Sequence, residues 1–189
     1  MDYAAARFAE GGYHPTSVAE IVQGLGVGKG VFYWYFQSKE ELFLEILKEA
    51  QTDLRRDQKA AIRDEDDPAR RIQKGMRASM AWYAANRNLV NLFQFAATEE
   101  RFAPAIRRGQ EIAVGDVARH VQEGIDLGEF RDLDPLKMAH AILGVTTQLS
   151  RYFIHEQGEA PAEVADMAVM FCLEGLLAPD AEVVLSPAS

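Results

Sequence analysis

The stretch Thr16–Phe43 constrains the fold most, because its pattern predicts three short helices separated by recognisable breaks. Ser17 and Glu20 form the pattern of a capping box, in which the serine hydroxyl and the glutamate carboxylate each accept a backbone N–H at a helix start. An apolar stripe at helical spacing follows, and Gly24 ends that helix. After a tight turn, a second helix is predicted from about Gly28 to Phe36.

The second of these helices has two apolar faces, which is unusual for a short surface helix. At about 100° per residue, Phe32 and Phe36 share one face, and we expect them in a core. Gly30 and Trp34 point the opposite way, with Tyr33 beside them. A glycine allows close approach of a backbone, and the aromatic side chains offer flat surface and a hydroxyl donor. Helix, glycine-containing turn and short second helix together predict a helix-turn-helix, whose second helix enters the DNA major groove.

The segment VGKGVFYWYFQSKEELF resembles the recognition helix and the following helix start of the TetR family of bacterial transcriptional repressors. The usual form in that family is close to V-S-K-G-T-L-Y-Y-H-F-x-S-K-E-E-L. The upstream segment Gly12–Val22 also resembles the family pattern G-[YF]-x-x-T-[TS]-[VI]-x-x-I. The resemblance is ungapped over the first quarter of the chain. It implies a DNA-binding amino-terminal domain, a divergent helical ligand-binding domain, and a homodimer that a small molecule releases from its operator.

We therefore expect an all-α protein of about nine helices. Residues 1–45 are predicted to form a three-helix helix-turn-helix DNA-binding domain, and residues 46–189 a helical ligand-binding and dimerisation domain. After the recognition helix, further helices are predicted to start near Lys39, Pro68, Leu89, Pro104, Pro135 and Pro161. No convincing strand period or internal repeat is found. The tail from Pro179 is expected to fray.

The predicted DNA contacts lie on and around the recognition helix. The candidate DNA-binding residues are Thr16, Ser17, Gly28, Lys29, Gly30, Val31, Tyr33, Trp34, Tyr35 and Lys39. The net charge of −9 opposes general affinity for nucleic acid, and residues 1–48 hold four cationic and six acidic side chains. The DNA interpretation therefore depends on placement: Lys29 and Lys39 each open a helix, where free backbone N–H groups can also hold a phosphate.

Three departures from the family pattern affect this prediction. Tyr35 stands where the family usually has a histidine, and Gly28 where it has serine or threonine, which alters the phosphate contacts. The family's basic arm before the first helix is also missing, since Ala4 to Ala9 is already expected to be helical. Either this protein does without the arm, or its true start lies upstream. The second is our hypothesis, and an intact mass of the native protein equal to that of residues 1–189 would end it.

A ligand pocket is predicted among the middle helices, where aromatic and methionine side chains accompany a few polar groups. The candidate ligand-binding residues are Met76, Met80, Tyr83, Asn91, Phe93, Gln94, Phe95, Phe102, His120, Gln148 and Tyr152. Such a set suits a small apolar or amphipathic ligand. Plain core packing is the alternative for each of these residues, and the more frequent one.

The last two helices carry stripes of small and apolar residues that suit close helix packing. The stripes are Ala139, Leu143, Thr146, Ser150 and Phe153, and then Val164, Ala168, Phe171 and Gly175. Ordinary core packing explains such stripes equally well. The TetR resemblance favours a four-helix dimer interface, which would let two recognition helices reach successive major grooves of a palindromic site.

Other classes of function are less consistent with the chain. An enzyme would need convergent acid–base or metal-binding groups, and neither H-E-x-x-H nor E-x-x-H occurs, so we expect no catalysis, metal or cofactor. No apolar run reaches about 20 residues and no signal peptide is evident, while the single cysteine, Cys172, fits a reducing cytoplasm. The sequence thus predicts a cytoplasmic regulator, most simply a repressor, and leaves open a ligand-independent architectural DNA-binding protein.

Overall fold

The computed structural model describes residues 1–177, and this part of the chain holds nine α-helices, which confirms the predicted all-α class. The helices are α1 (Asp2–Gly11), α2 (Val18–Gly24), α3 (Lys29–Tyr35), α4 (Lys39–Ile62), α5 (Pro68–Ala85), α6 (Arg87–Thr98), α7 (Ala103–Asp126), α8 (Pro135–Leu149) and α9 (Pro161–Leu176). A π-helical segment, Ser150–Glu156, continues α8. The predicted fraying from Pro179 lies outside the described residues.

The chain packs as two compact units. The amino-terminal unit comprises Met1–Asp53 and Asn86–Gly109, and the carboxy-terminal unit comprises Leu54–Ala85 together with residue 110 onwards. Helices α4 and α7 therefore contribute residues to both units. The division by function after residue 45 stays a prediction, because this grouping reflects packing alone.

An aromatic cluster forms the core of the amino-terminal unit. Tyr13, Phe43 and Phe102 lie in mutual contact, with ring centroids 4.6–5.0 Å apart. Phe8 from α1 and Phe95 from α6 add their rings to the same cluster. Each large ring removes much apolar surface from water, so the cluster holds the helix-turn-helix segment and α6 together as one body.

The core of the carboxy-terminal unit is aliphatic. Met80, Val121, Ala168 and Leu173, from three different helices, are fully buried in it. The start of α8 follows from local chemistry, because the Asp134 side chain accepts two backbone N–H groups of the first turn at 3.0 and 3.2 Å and a proline follows it.

The continuation of α8 is not a plain α-helix. The Thr146 hydroxyl donates to the Ile142 carbonyl and the Ser150 hydroxyl to the Thr146 carbonyl, each at 2.7 Å. Hydroxyl groups that bond back to the preceding turn compete with the regular helical pattern, and the π-helical segment begins directly at Ser150.

None of the helices in residues 1–177 is both long and apolar enough to cross a membrane.

Candidate DNA-binding surface and ligand cavity

The capping box predicted at Ser17 is present and fixes the start of α2. The Ser17 hydroxyl accepts the Glu20 N–H at 3.2 Å, and a Glu20 carboxylate oxygen accepts the Ser17 N–H at 2.7 Å. These bonds, that from the Ser17 backbone first, lower the pKa of Glu20 below its ordinary value. The hydroxyl and the backbone N–H of Ser17 therefore cap the start of α2. Ser17 is also a predicted DNA-binding residue, and a contact with DNA stays a prediction.

Helix α3 presents its aromatic side to solvent. Phe32 is buried in the amino-terminal core, with its ring centroid 5.8 Å from that of Phe36. Trp34 is 87% exposed, Tyr35 71% and Tyr33 55%. The orientation predicted for this helix is thus the one observed. A fully exposed indole has no packing role in the chain itself, which makes this side of α3 the candidate recognition surface.

The glycines of α3 leave open space on the same side. Gly28 and Gly30 have ordinary negative φ, and a Cβ atom built at either position would have no neighbour within 4 Å. The chain's own packing therefore does not require glycine at these positions. Close approach of an external backbone is a reason for keeping them free of side chains. Lys29 and Val31, which flank Gly30, are also exposed.

Lys39 has a different place from the one expected of a phosphate ligand. Its ammonium group donates to the carbonyls of Tyr13, His14 and Thr16 at 2.7, 3.2 and 2.9 Å and lies 4.4 Å from the centre of the Tyr13 ring. All three N–H donors are thereby used inside the unit. Burial, followed by the nearby Arg101 guanidinium, lowers the pKa of Lys39. The side chain joins the start of α4 to the α1–α2 loop, in disagreement with the predicted phosphate contact.

The side chain of Thr16 is also turned inward. It is only 3% exposed, and its hydroxyl donates to the Gly12 carbonyl at 2.7 Å. Thr16 therefore closes the α1–α2 loop, and its hydroxyl is not available as the surface DNA contact that the sequence suggested. The threonine side chain is short enough for its hydroxyl to reach a carbonyl only four residues earlier, and it is therefore buried.

The recognition surface carries little free positive charge. Arg7 pairs with Glu10 at 3.5 Å and Lys48 with Glu45 at 2.9 Å. Within the described part of the chain, Lys29 makes no ion pair. This cation at the first position of α3 is therefore the main electrostatic contribution of residues 1–48 to a phosphate backbone.

A cavity of about 210 Å³ lies inside the carboxy-terminal unit, between the second half of α4 and helices α5, α7 and α8. One part of its wall is aliphatic and another is charged. Its lining residues are Arg55, Gln58, Lys59, Ile62, Arg71, Ile72, Gly75, Met76, Ser79, Ala113, Asp116, Val117, Arg119, His120, Ile142, Leu143 and Thr146. A concave, mostly apolar site with a few polar groups is the usual form of a small-molecule site.

The structure brings only two of the predicted ligand-binding residues, Met76 and His120, into this wall. Met80 is fully buried in the neighbouring core, and burial raises the pKa of Tyr83, which is hydrogen-bonded to Thr147. Gln148 and Tyr152 are exposed. The remaining five candidates, Asn91, Phe93, Gln94, Phe95 and Phe102, belong to α6 and the α6–α7 turn in the amino-terminal unit, so they are not part of this cavity.

The charged part of the wall was not found from the sequence. Arg55, Lys59, Arg71, Asp116 and Arg119 line the cavity, and none was a candidate. After Thr52 the sequence of α4 is mostly polar, and no site residue was predicted there. The available signal was the spacing of Arg55 and Lys59, which are four residues apart and therefore share one helical face.

The predicted interface stripes mostly face the chain's own core. Ala139, Thr146, Ser150, Val164 and Ala168 are all buried within the single chain, so they cannot form a surface for a partner. The stripe prediction was wrong for these residues because both helices are apolar on more than one side.

Two residues of the predicted α9 stripe, Phe171 and Gly175, are exposed. Phe171 is 64% exposed, and Met167, Met170 and Tyr152 are also accessible.

In residues 1–177 no three His, Cys, Asp or Glu side chains are grouped in a way that could hold a metal ion.

Comparison with known proteins agrees with this geometry. Residues 1–46 match the family model of bacterial regulatory proteins of the tetR family, and residues 65–176 match the tetracyclin repressor-like carboxy-terminal domain. YdgC of Bacillus subtilis, an uncharacterized HTH-type transcriptional regulator, is 25% identical over 183 residues, which cover 92% of this chain and 89% of the relative.

Two solved structures extend the comparison to the fold. A regulatory protein of the tetR family from Rhodococcus RHA1 has a TM-score of 0.78 and 26% identity, covering 95% of both chains. AibR in complex with isovaleryl coenzyme A and operator DNA has a TM-score of 0.74 and 21% identity, covering 89% of this chain and 93% of its own. The two family models together span most of the sequence, and the chain belongs to the TetR family of transcriptional regulators, which are DNA-binding proteins rather than enzymes.

Proposed function

We propose that this regulator is a repressor that binds a palindromic operator as a homodimer and leaves it when a small ligand occupies the carboxy-terminal cavity. The exposed side of α3 carries the proposal: Tyr33, Trp34 and Tyr35 project into solvent beside two glycines that have open space above them. In a helix-turn-helix protein, the second helix of the motif meets base edges in the major groove. We also propose that the protein acts in the cytoplasm, where its DNA target would lie.

The exposed apolar side of α9 supports the homodimer. Met167, Met170 and Phe171 form an accessible apolar patch on one helix. Apolar patches of this kind are typical of association surfaces. A two-fold pair would present two α3 helices, and a palindromic operator with half-sites about one helical turn apart would match that symmetry.

The cavity supports a ligand-responsive regulator over a ligand-independent architectural protein. A solid interior in α5, α7 and α8 would have favoured the architectural alternative, whereas a void of about 210 Å³ is present. The fold is also compatible with both kinds of partner, because AibR shares it and was crystallised with a coenzyme A thioester and operator DNA.

The coupling is proposed to act through α4. This helix contributes residues 39–53 to the amino-terminal unit and residues 54–62 to the unit that contains the cavity. A ligand that binds best to a conformer with α4 displaced would shift the population towards that conformer. Coupling energies of about 1–3 kcal/mol are typical of such systems and correspond to a loss of operator affinity of roughly 5- to 150-fold.

Selection of genomic DNA fragments by the purified protein tests the DNA-binding proposal. We expect a palindromic sequence to be enriched, and Trp34→Ala to weaken binding to it by roughly tenfold, the cost of one good base contact. Leu127→Ala, which removes another exposed apolar side chain, serves as the control and should leave binding within about twofold. Equal binding by the two folded variants, or no enrichment over random fragments, would overturn the proposal.

A further inference from the structure

Two cations face the cavity without a partner. Arg55 and Lys59 both line it from α4, and among residues 1–177 neither makes a hydrogen bond or an ion pair through its side chain. Their spacing of four residues places them on one helical face, where like charges repel each other. Arg55 is half-buried and Lys59 is exposed at the cavity. An anion that entered the cavity would therefore find two cations that have no other partner.

The remaining charges of the wall are already compensated. The Arg71 guanidinium pairs with Glu123 at 2.7 Å and with Asp66 at 3.6 Å. Arg119 pairs with Asp116 at 2.6 Å. An incoming anion would thus find its free partners on α4. This concentration of free positive charge is notable in a chain whose net charge is −9.

The wall also contains apolar residues. Ile72 and Met76 from α5 and Ile142 and Leu143 from α8 supply aliphatic surface without a charge. The volume of about 210 Å³ is below the roughly 300–1,000 Å³ of drug-sized sites, so the ligand that fits is small. Two free cations on one helix and aliphatic side chains on two others suit a molecule with an anionic head and a short apolar body.

His120 adds a polar group suited to the inside of such a site. Its Nδ1 atom is buried and has no hydrogen-bond partner. Burial, followed by the Arg71 charge, lowers the pKa of His120, so the imidazole is neutral at pH 7. A neutral imidazole can accept or donate one hydrogen bond without adding to the positive charge of the wall.

We infer that the cavity binds a small amphipathic anion, with its carboxylate or phosphate head held by Arg55 and Lys59 on α4 and its apolar body against α5 and α8. This inference deepens the proposed function and rests on it for the role of the ligand as effector. It also gives α4 a direct contact with the effector, because the two head-group ligands lie on that helix.

Calorimetric titration of the full chain with four probes of one chain length tests the inference. The probes are octanoate, octyl phosphate, octan-1-ol and octylamine. We expect octanoate, octyl phosphate or both to bind at least about tenfold more tightly than octan-1-ol, as charge-assisted hydrogen bonds would require. The better anion distinguishes a carboxylate ligand from a phosphate ligand. Binding of octan-1-ol or octylamine as tightly as the anions, or no binding of either anion, would overturn the inference.

A pair of charge-matched double variants locates the head group. Arg55→Ala with Lys59→Ala should reduce anion affinity to that of octan-1-ol. Arg56→Ala with Arg63→Ala removes the same charge from residues outside the cavity wall and should leave affinity within about twofold. Thermal melting of both variants checks their folding. Equal anion affinity in the two double variants would overturn the inference.

Operator binding, measured on the same preparations, separates the two proposals. If the protein retards its selected DNA but does not prefer anions, the ligand inference fails and the regulator stands. If octanoate or octyl phosphate binds through Arg55 and Lys59 but leaves operator affinity unchanged, the site stands and the proposed effector role fails.

Discussion

Replacement of Lys39 by methionine tests whether this lysine holds the α1–α2 loop or contacts DNA. The substitution keeps the length of the side chain and removes the ammonium group, which leaves the carbonyls of Tyr13, His14 and Thr16 without their charged donor. A hydrogen bond to a charged group contributes about 1.5–3 kcal/mol net. Since carbonyls in a surface loop regain water, we expect the three bonds together to be worth about 2 kcal/mol.

The expected result is a lower midpoint of thermal unfolding, followed by circular dichroism. For a chain of 150–250 residues, 1 kcal/mol corresponds to a shift of about 2–4 °C, so Lys39→Met should melt about 4–8 °C lower. Lys48→Met is the matched control on the same helix. Its side chain is 72% exposed and pairs only with Glu45, a contact worth at most about 0.5 kcal/mol. If the two variants melt within about 1 °C of each other while Lys39→Met loses operator affinity, the loop argument is refuted and the phosphate contact is restored.

Four further measurements examine other parts of the molecule. Gly124→Ala should cost about 1–3 kcal/mol in chemical unfolding, because a Cβ there would come within 2.3 Å of the buried Phe130 ring; an unchanged midpoint would contradict this. Met80→Ala should cost about 2–5 kcal/mol yet leave octanoate affinity unchanged, since Met80 is core and not cavity wall; weaker binding in the folded variant would oppose that assignment. The lowered pKa of Glu20 means that its stabilising contribution is present above its ordinary pKa of 4.5 and is lost as pH falls through the lower folded value. Glu20→Gln should therefore melt below the wild type at pH 7, with a difference that shrinks below about pH 4.5, and a pH-independent difference would refute this. With Lys29 as the free cation, a homodimer should show a slope of log affinity against log salt of about −2, and a slope near −6 would reveal further phosphate ligands.

The helices were predictable where short-range chemistry determines their ends. Helix α5 spans Pro68–Ala85 as predicted, and the Asp134 cap starts α8 at the expected proline. The capping box of α2 is another signal that acts over three residues. Side-chain orientation within α3 followed from periodicity, because Phe32 and Trp34 are about 200° apart on the helix. Each of these features depends on residues close together in sequence.

The faces buried by α8 and α9 were not predictable in the same way. Val164 and Ala168 lie in the chain's own core, whereas Phe171 is exposed, and all three were assigned to one stripe. A helix with apolar residues on several sides gives no periodic signal that separates a core from an association surface. That choice depends on which other helices pack against α9, which is long-range information.

The aromatic ligand candidates failed for a related reason. Phe95 and Phe102 were assigned to a pocket because aromatic side chains are common in ligand sites. Their rings instead contact Tyr13 and Phe43, more than 50 positions away along the chain. Residue type alone cannot distinguish a core ring from a pocket ring when the partner is so distant in sequence. The family resemblance predicted a pocket among the middle helices, but it could not say which side chains face one another there.

The second half of α4 shows why its charged residues were not predicted as site residues. A polar helix segment outside the core is most often solvated, and Arg56 fits that description, with its side chain 69% exposed and near Asp57. Arg55 and Lys59 have the same residue chemistry, but they line a cavity together with residues of α5, α7 and α8. Arg55 is half-buried there, and an unpaired cation becomes more costly as water is removed from around it. In the ligand inference, the meaning of these two side chains therefore comes from the cavity and not from their composition, and a bound anion would offset their two charges.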